Sequence, residues 1–285
     1  MIKHDIFIQS EGFFPSEGRW LFYKRYSSPK NKKGEILALH GAAEHSGRYH
    51  ELGSILAQNG YHFYILDFTG HGRSEGRRGH VHHFEDYLVD IANFYAFLKI
   101  HKKMEVPYIL GHSMGGLLAT IFTAWGQCPA KGLILSGPLF KLKVPVPFFK
   151  RVLAKLLSSI YPAFCMPSEL DPALLTHDTE IVEEYLTDPL VQHHANVRWF
   201  TEMLKAMKKA QFSFPCIKIP CLFFHGEKDS ITDPESTKAS FQKLASQDKE
   251  LYIVREAYHE VFNEQGREQV FEKLIEWLDV HANQA

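Results

Sequence analysis

Ser113, Asp229 and His259 are residue types that together can pass a proton to and from an attacking oxygen, and they occur in that order along this 285-residue chain. The serine lies in Gly111-His112-Ser113-Met114-Gly115, a G-x-S-x-G pattern. By itself that pattern says little; its flanks give it meaning. Pro107 to Leu110 is a short apolar run of strand type, and an apolar helix is expected from Leu117 onward. A strand, a sharp turn and a helix force the central residue into a cramped conformation and lift its side chain at the turn's tip. Only small neighbours fit such a turn, and Gly111, Gly115 and Gly116 are small. The helix N-terminus beneath favours developing negative charge.

A nucleophilic serine needs a base, and the base needs an orienting acid; after an elbow of this kind they follow in the order Ser, Asp or Glu, His. The loop leaving the strand expected at Cys221 to Phe224 reads H-G-E-K-D-S-I-T-D-P, and the loop leaving that at Leu251 to Val254 reads R-E-A-Y-H-E. Asp229 is the expected acid, with Glu227 and Asp233 as competitors; Asp233, before Pro234, is better read as a helix N-cap. His259 is the expected base. His225 precedes the acid and would break the order, and His193 and His194 are expected at the surface. A developing oxyanion needs two donors: the N–H of Met114, after the nucleophile, and one from the loop beginning His40-Gly41-Ala42. This chemistry requires no metal or organic cofactor.

Those loops must be held by regular elements. Strands are expected at Ile6 to Ile8, Trp20 to Tyr26, Glu35 to His40, Phe63 to Phe68 and Gly132 to Ser136, with turn residues around Pro15 and Gly18 between the first two. Helices are expected at Glu51 to Gln58, Phe84 to Ile100, Pro234 to Leu244 and Gln269 to Val280. Strands alternating with helices imply an α/β architecture, a mostly parallel sheet covered on both faces. The alternation breaks between 138 and 211, a Pro-, Leu-, Phe- and Lys-rich stretch with helical patches and no convincing strand. We read it as a helical insertion within a core formed by 1–137 and 212–285. Phe148, Val152, Leu156 and Ile160 recur at helical spacing, beside Lys141, Lys143, Lys150, Arg151 and Lys155. That stripe fits either a helix packed on the core or a basic amphipathic helix touching a lipid surface.

Composition bounds the rest. Hydrophobic residues make up 45% and charged residues 23%, as in a globular protein with a substantial core, and a net charge of −1 argues against nucleic-acid binding. Cys128, Cys165, Cys216 and Cys221 form no C-x-x-C pair, which points to reduced thiols and a cytoplasmic setting. Met1 to Ser10 has no signal-peptide pattern, and no apolar run is long enough for a spanning helix. His82-His83 and His193-His194 are adjacent pairs, not the i, i+4 spacing that brings two imidazoles onto one metal ion. No motif specifies an oligomeric state.

Four stretches make the chain resemble the monoacylglycerol lipase and lysophospholipase-like branch of the α/β-hydrolases: H-G-A-A-E-H-S-G-R-Y (His40 to Tyr49), G-H-G-R-S-E-G (Gly70 to Gly76), G-H-S-M-G-G (Gly111 to Gly116) and H-G-E-K-D (His225 to Asp229). The resemblance implies a Ser113–Asp229–His259 triad and oxyanion donors at Ala42 and Met114. It places Glu44 and Arg48 near the exit for the alcohol half of a monoglyceride, and makes the insertion a cap that shapes an acyl tunnel and can meet membranes. Two positions depart from the pattern. Phe262 stands where the mammalian lipases have a second histidine, which bears on glycerol recognition, and Ala43 replaces a common glycine. His71 in the G-H-G turn is read as structural.

The implied substrate is an acyl-lipid or other ester. A lysophospholipid, thioester, small ester or N-terminal peptide bond is the rival within the same machinery; the last would need acids for a free amine, for which Glu169, Asp171, Glu180, Glu183 and Glu184 are available. Epoxide hydrolysis and dehalogenation are disfavoured, because those relatives carry Asp where this chain has Ser113. A non-catalytic binding protein would be expected to lack a triad member.

Overall fold

The computed structural model describes residues 7–29, 32–126, 128–144, 146–167 and 170–282. In chain order the elements are β1 (Ile8–Ser16), β2 (Arg19–Ser27), β3 (Gly34–Leu39), α1 (His50–Gln58), β4 (Tyr61–Leu66), α2 (Glu85–His101), β5 (Tyr108–His112), α3 (Met114–Trp125) and β6 (Gly132–Ser136). Then come α4 (Phe148–Ile160), β7 (Cys165–Pro167), α5 (Thr179–Thr187), β8 (His194–Asn196), α6 (Val197–Ala210), β9 (Cys221–Gly226), α7 (Pro234–Gln242), β10 (Lys249–Val254) and α8 (Glu268–Ala282).

Eight strands form one sheet in the order β1-β2-β4-β3-β5-β6-β9-β10. β2 pairs antiparallel with both neighbours, and every other pairing is parallel. The inner strands β3, β5, β6 and β9 are buried at every position because helices cover both faces. The period-2 geometry divides their side chains between two cores. Leu37, Leu39, Tyr64, Leu66 and Ile109 pack with α2, α3 and α6 on one face. Ile36, Ala38, Phe63, Ile65 and Leu110 pack with α1 and α8 on the other. With both faces covered, the parallel strands open at their C-terminal ends, where the loops carrying the candidate residues lie.

Three expectations needed correction. The first strand spans Ile8 to Ser16 and runs through Pro15, which pairs with Trp20; an edge strand tolerates a residue without an N–H. The turn sits at Glu17-Gly18, both at positive φ (48° and 74°), the two-residue hairpin geometry; Ile6 lies outside the described residues. Second, α3 begins at Met114, because Gly115 and Gly116 form its first turn. Third, the stretch between β6 and β9 does contain strands: β7 and β8 pair antiparallel, three residues each, too short to show alternation. Among the described residues, no helix is long and apolar enough to cross a membrane.

Candidate active site

The turn between β5 and α3 holds Ser113 at φ 51°, ψ −114°, a conformation that costs a non-glycine residue about 1–3 kcal/mol. Its neighbours show what fixes it there. A Cβ on Gly115 would overlap the carbonyl oxygen of Leu39, and one on Gly111 would overlap that of Gly115. The Ser113 N–H donates to Ser136 O (2.9 Å), while its own carbonyl accepts from Leu117 (3.1 Å) and Leu139 (3.0 Å). Backbone bonds to β6, to α3 and to the loop after β6 therefore over-determine the strained residue.

The turn after β9 places Asp229, 2% exposed, against His259 in the loop after β10. His259 Nδ1–H donates to Asp229 Oδ2 at 2.7 Å. The same oxygen accepts from the Thr232 hydroxyl at 2.7 Å, and Oδ1 accepts the N–H groups of Ile231 (2.8 Å) and Thr232 (2.9 Å). Burial pushes the carboxyl up, but the charge of His259 and the hydrogen bonds from His225 and His259 outweigh it and hold Asp229 well below the carboxylate range. For His259, burial works downward; the Asp229 charge and hydrogen bond, with the charges of Glu260 and Glu44, win and raise it. Ser113 and His259 line the same cavity.

The competitors are occupied elsewhere. Asp233 caps α7, accepting from Glu235 N–H (3.2 Å), and pairs with Lys141 (2.7 Å). Glu227 is exposed and accepts from Glu256 N–H (3.0 Å). His193 and His194 are both exposed, the latter at the cavity wall. His225, set aside by chain order, is fully buried with Nε2 3.1 Å from Asp229 Oδ2, so the acid serves two imidazoles.

The loop after β3 is pinned at each step. His40 Nδ1–H donates to Gly41 O (2.7 Å) and its Nε2 accepts from Phe68 N–H (3.1 Å), an arrangement only a neutral imidazole can make. Burial, the dominant influence, brings its pKa down to about 4. Gly41 N–H donates to Glu44 Oε1 at 2.6 Å. Ala42 then lines the cavity, Ala43 adopts φ 65°, and Met114 opens α3 with its side chain buried. His71 is buried with Nδ1 3.2 Å from Thr69 O, at the cavity wall; burial lowers its pKa to about 3.

Glu44 and Arg48 line the cavity, but they are engaged with protein groups. Glu44 also accepts from Tyr49 Oη (2.8 Å) and Arg48 Nη1 (2.9 Å). Arg48 pairs in fork geometry with Glu260 (2.6 and 2.8 Å), and the Tyr185 ring lies 4.8 Å from its guanidinium carbon. Glu260 escaped the sequence reading. Its one signal was an acid directly after the candidate base, and no spacing rule links residues 48 and 260. Phe262 packs between Phe224 and Phe271 and borders a separate void of about 20 Å³, room for about one water, behind the Arg48–Glu260 pair.

The main cavity has a volume of about 460 Å³. Its floor is Gly41, Ala42, Ser113 and His259; Leu142, Val144, Leu170, Leu174 and Met203 of the 138–211 stretch supply apolar wall. An acyl chain could be desolvated there with its carbonyl beside Ser113, in a cavity that His259, held by Asp229, also lines.

A family model described as serine aminopeptidase, S33, matches residues 30–266. Phospholipase YtpA of Bacillus subtilis is 31% identical over 86% of this chain and 94% of its own length. The monoacylglycerol lipase of Mycolicibacterium smegmatis is 28% identical over 92% of this chain and 93% of its own. An abhydrolase domain-containing protein of Dictyostelium discoideum is 32% identical over 88% of this chain, which spans only 27% of that relative's length. Among solved structures, the Paleococcus ferrophilus monoacylglycerol lipase superposes with a TM-score of 0.84 at 31% identity, over 92% of this chain and 99% of the other. With the family match running through all three loops, the chain belongs to the serine aminopeptidase S33 family of α/β-hydrolases, as a serine ester hydrolase of its monoacylglycerol lipase and lysophospholipase-like branch.

Proposed function

We propose that this enzyme hydrolyses carboxylic esters of monoacyl lipids, with a monoacylglycerol as the preferred substrate. The observation that carries this reading is the Asp229–His259 pair and Ser113 at the floor of an apolar cavity of about 460 Å³. His259 Nε2 takes the Ser113 proton as Oγ attacks the acyl carbonyl. The N–H groups of Ala42 and Met114 stabilise the oxyanion, and His259 returns the proton to the departing alcohol. Water, activated by His259 in turn, attacks the acyl-enzyme; the acid leaves and Ser113 regains its proton. Asp229 keeps the Nδ1 proton in place, so that Nε2 is free to act as base.

The 138–211 stretch serves as a cap in this scheme, supplying the acyl wall. Its α4 carries Phe148, Phe149, Leu153, Leu156 and Ile160 on an exposed apolar face, which favours transient contact with a lipid surface over packing on the core. Four free thiols support a cytoplasmic setting. The second reading is a lysophospholipase, favoured by the similarity to the phospholipase of B. subtilis. A peptidase is less favoured: Glu180, Glu183 and Glu184 are exposed away from the cavity and Glu169 lies outside the described residues, while Asp171, which does line the cavity, spends one carboxylate oxygen on the Ala173 N–H of its own turn.

Fatty-acid release from monooleoylglycerol, lysophosphatidylcholine and short nitrophenyl esters, by wild type and Ser113→Ala, tests the proposal. A Ser113-dependent preference for the monoglyceride supports it. Preference for the lysophospholipid moves the substrate, and full activity in Ser113→Ala overturns the mechanism.

A further inference from the structure

The loop that carries His259 also carries Glu264, a buried acid that the chemistry above does not use. Its carboxylate gathers donors from two parts of the chain. Its own loop supplies the N–H groups of Tyr258 and Gln265, both at 2.9 Å. The insertion supplies the His177 N–H (2.9 Å) and His177 Nδ1 (3.0 Å). Burial works to raise this carboxyl, but the N–H bonds from Tyr258, Gln265 and His177 outweigh it and keep it ionised at neutral pH.

Around that carboxylate the two segments are stitched together. Glu260 N–H donates to Leu175 O (2.8 Å), the Thr176 hydroxyl to Asn263 O (2.8 Å) and Arg267 Nη1 to Asp178 Oδ2 (3.0 Å). The rings of His177 and Tyr258 stack at 3.7 Å. On one side of this joint, Tyr258 immediately precedes His259, and its backbone is also pressed against Gly226, where a Cβ would overlap the Tyr258 carbonyl. On the other side, Leu174 and Leu175 line the cavity.

We propose that Glu264 is a positioning residue: its buried carboxylate locks the 175–178 strap of the insertion to the His259 loop, so that one group sets both the base and one wall of the acyl cavity. This rests on the reading of His259 as the base. An isosteric Glu264→Gln keeps the shape but turns an NH2 toward donor N–H groups, so His177 loses an acceptor in either orientation, together with Gln265 or Tyr258.

The test is steady-state kinetics on 4-nitrophenyl acetate and laurate, with active sites counted by a fluorophosphonate and rates given per titrated site. Glu264→Gln should lower plateau kcat on both esters by roughly tenfold to a hundredfold, the cost of a base misplaced by a fraction of an ångström to 1 Å. It should raise KM for the laurate alone. A merely structural role would reduce the number of titrated sites and leave their kcat and KM at wild-type values, which overturns the proposal. Should Glu264→Gln fail to fold, His177→Ala removes one donor and the ring stack at a partly exposed position. It should lower kcat on both esters about threefold, on the scale of one net hydrogen bond; wild-type values per site would overturn the proposal. His259→Ala separates the two claims. If it stays active, the base reading falls; if it is inactive while Glu264→Gln sites turn over normally, only the positioning role falls.

Discussion

Arg48 and Glu260, 212 residues apart in sequence, form a two-bonded ion pair that ties the loop after β3 to the loop after β10. Both side chains are below 10% exposed, and Glu44 completes the cluster by accepting from the same Arg48 Nη1. The loop after β3 and the loop that carries His259 are thus joined through a single arginine, with the Glu44 carboxylate reaching on to Gly41 N–H.

Removing the arginine should cost more than removing the acid. Arg48→Met leaves two neighbouring buried carboxylates uncompensated, a loss of about 3–5 kcal/mol. Glu260→Gln leaves the Glu44–Arg48 pair in place and should cost less. Urea denaturation at neutral pH gives both values, and a smaller loss for Arg48→Met would contradict the pairing scheme. The acid dependence follows with its sign. Burial raises Glu260, but Arg48 outweighs it and sets its folded pKa below the ordinary 4.5, so its contribution is complete above that value and is lost as pH falls through the folded pKa. Glu260→Gln should therefore show a flatter loss of stability below pH 4.5 than wild type.

Since a base must be neutral to accept a proton, activity should vary with pH through the proposed base, His259. Because its pKa is raised above 6.5, the acid limb of kcat/KM should lie above that value. His225 donates to the same Asp229 oxygen and competes with His259 for it. Replacing it with Phe, which fills the volume without a donor, should make Asp229 a stronger partner for His259 and move the limb upward. A pH–rate profile with the limb unmoved or lowered would show that His225 does not act on the pair.

The elbow makes a prediction about folding. Gly115→Ala would drive a methyl group into the Leu39 carbonyl, where neither backbone can yield, and should abolish soluble expression or cost more than about 4 kcal/mol. Gly126→Ala has open space around it and only a left-handed φ of 67° to meet, so about 1–2 kcal/mol is expected. Thermal melts of the two variants check the contrast; equal losses would mean that close approach is not what selects Gly115.

On the exposed face of α4, Phe149→Asp should lower hydrolysis of monooleoylglycerol in vesicles by about tenfold, the worth of withdrawing an aromatic side chain from an apolar phase. Its rate on soluble nitrophenyl acetate should match wild type. Parallel losses on both substrates would place the residue in the packing of the 138–211 stretch instead of at a lipid surface.

Much of this protein was legible before folding, for local reasons. The elbow around Ser113 declares itself because a cramped turn admits only Gly111, Gly115 and Gly116, and the covered strands because burial on both faces demands unbroken apolar runs. Asp233 before Pro234 reads as a cap because capping is a matter of adjacent residues. Only the tertiary structure decided what depends on contact between distant segments. His225 reached Asp229 because β9 ends where both can meet, Arg48 met Glu260 across the sheet's C-terminal edge, and Glu264 gathered donors from the strap at 175–178. Charge pairs and hydrogen bonds of that range leave no periodicity in a chain, since their geometry exists only once the sheet has brought its loops to one edge.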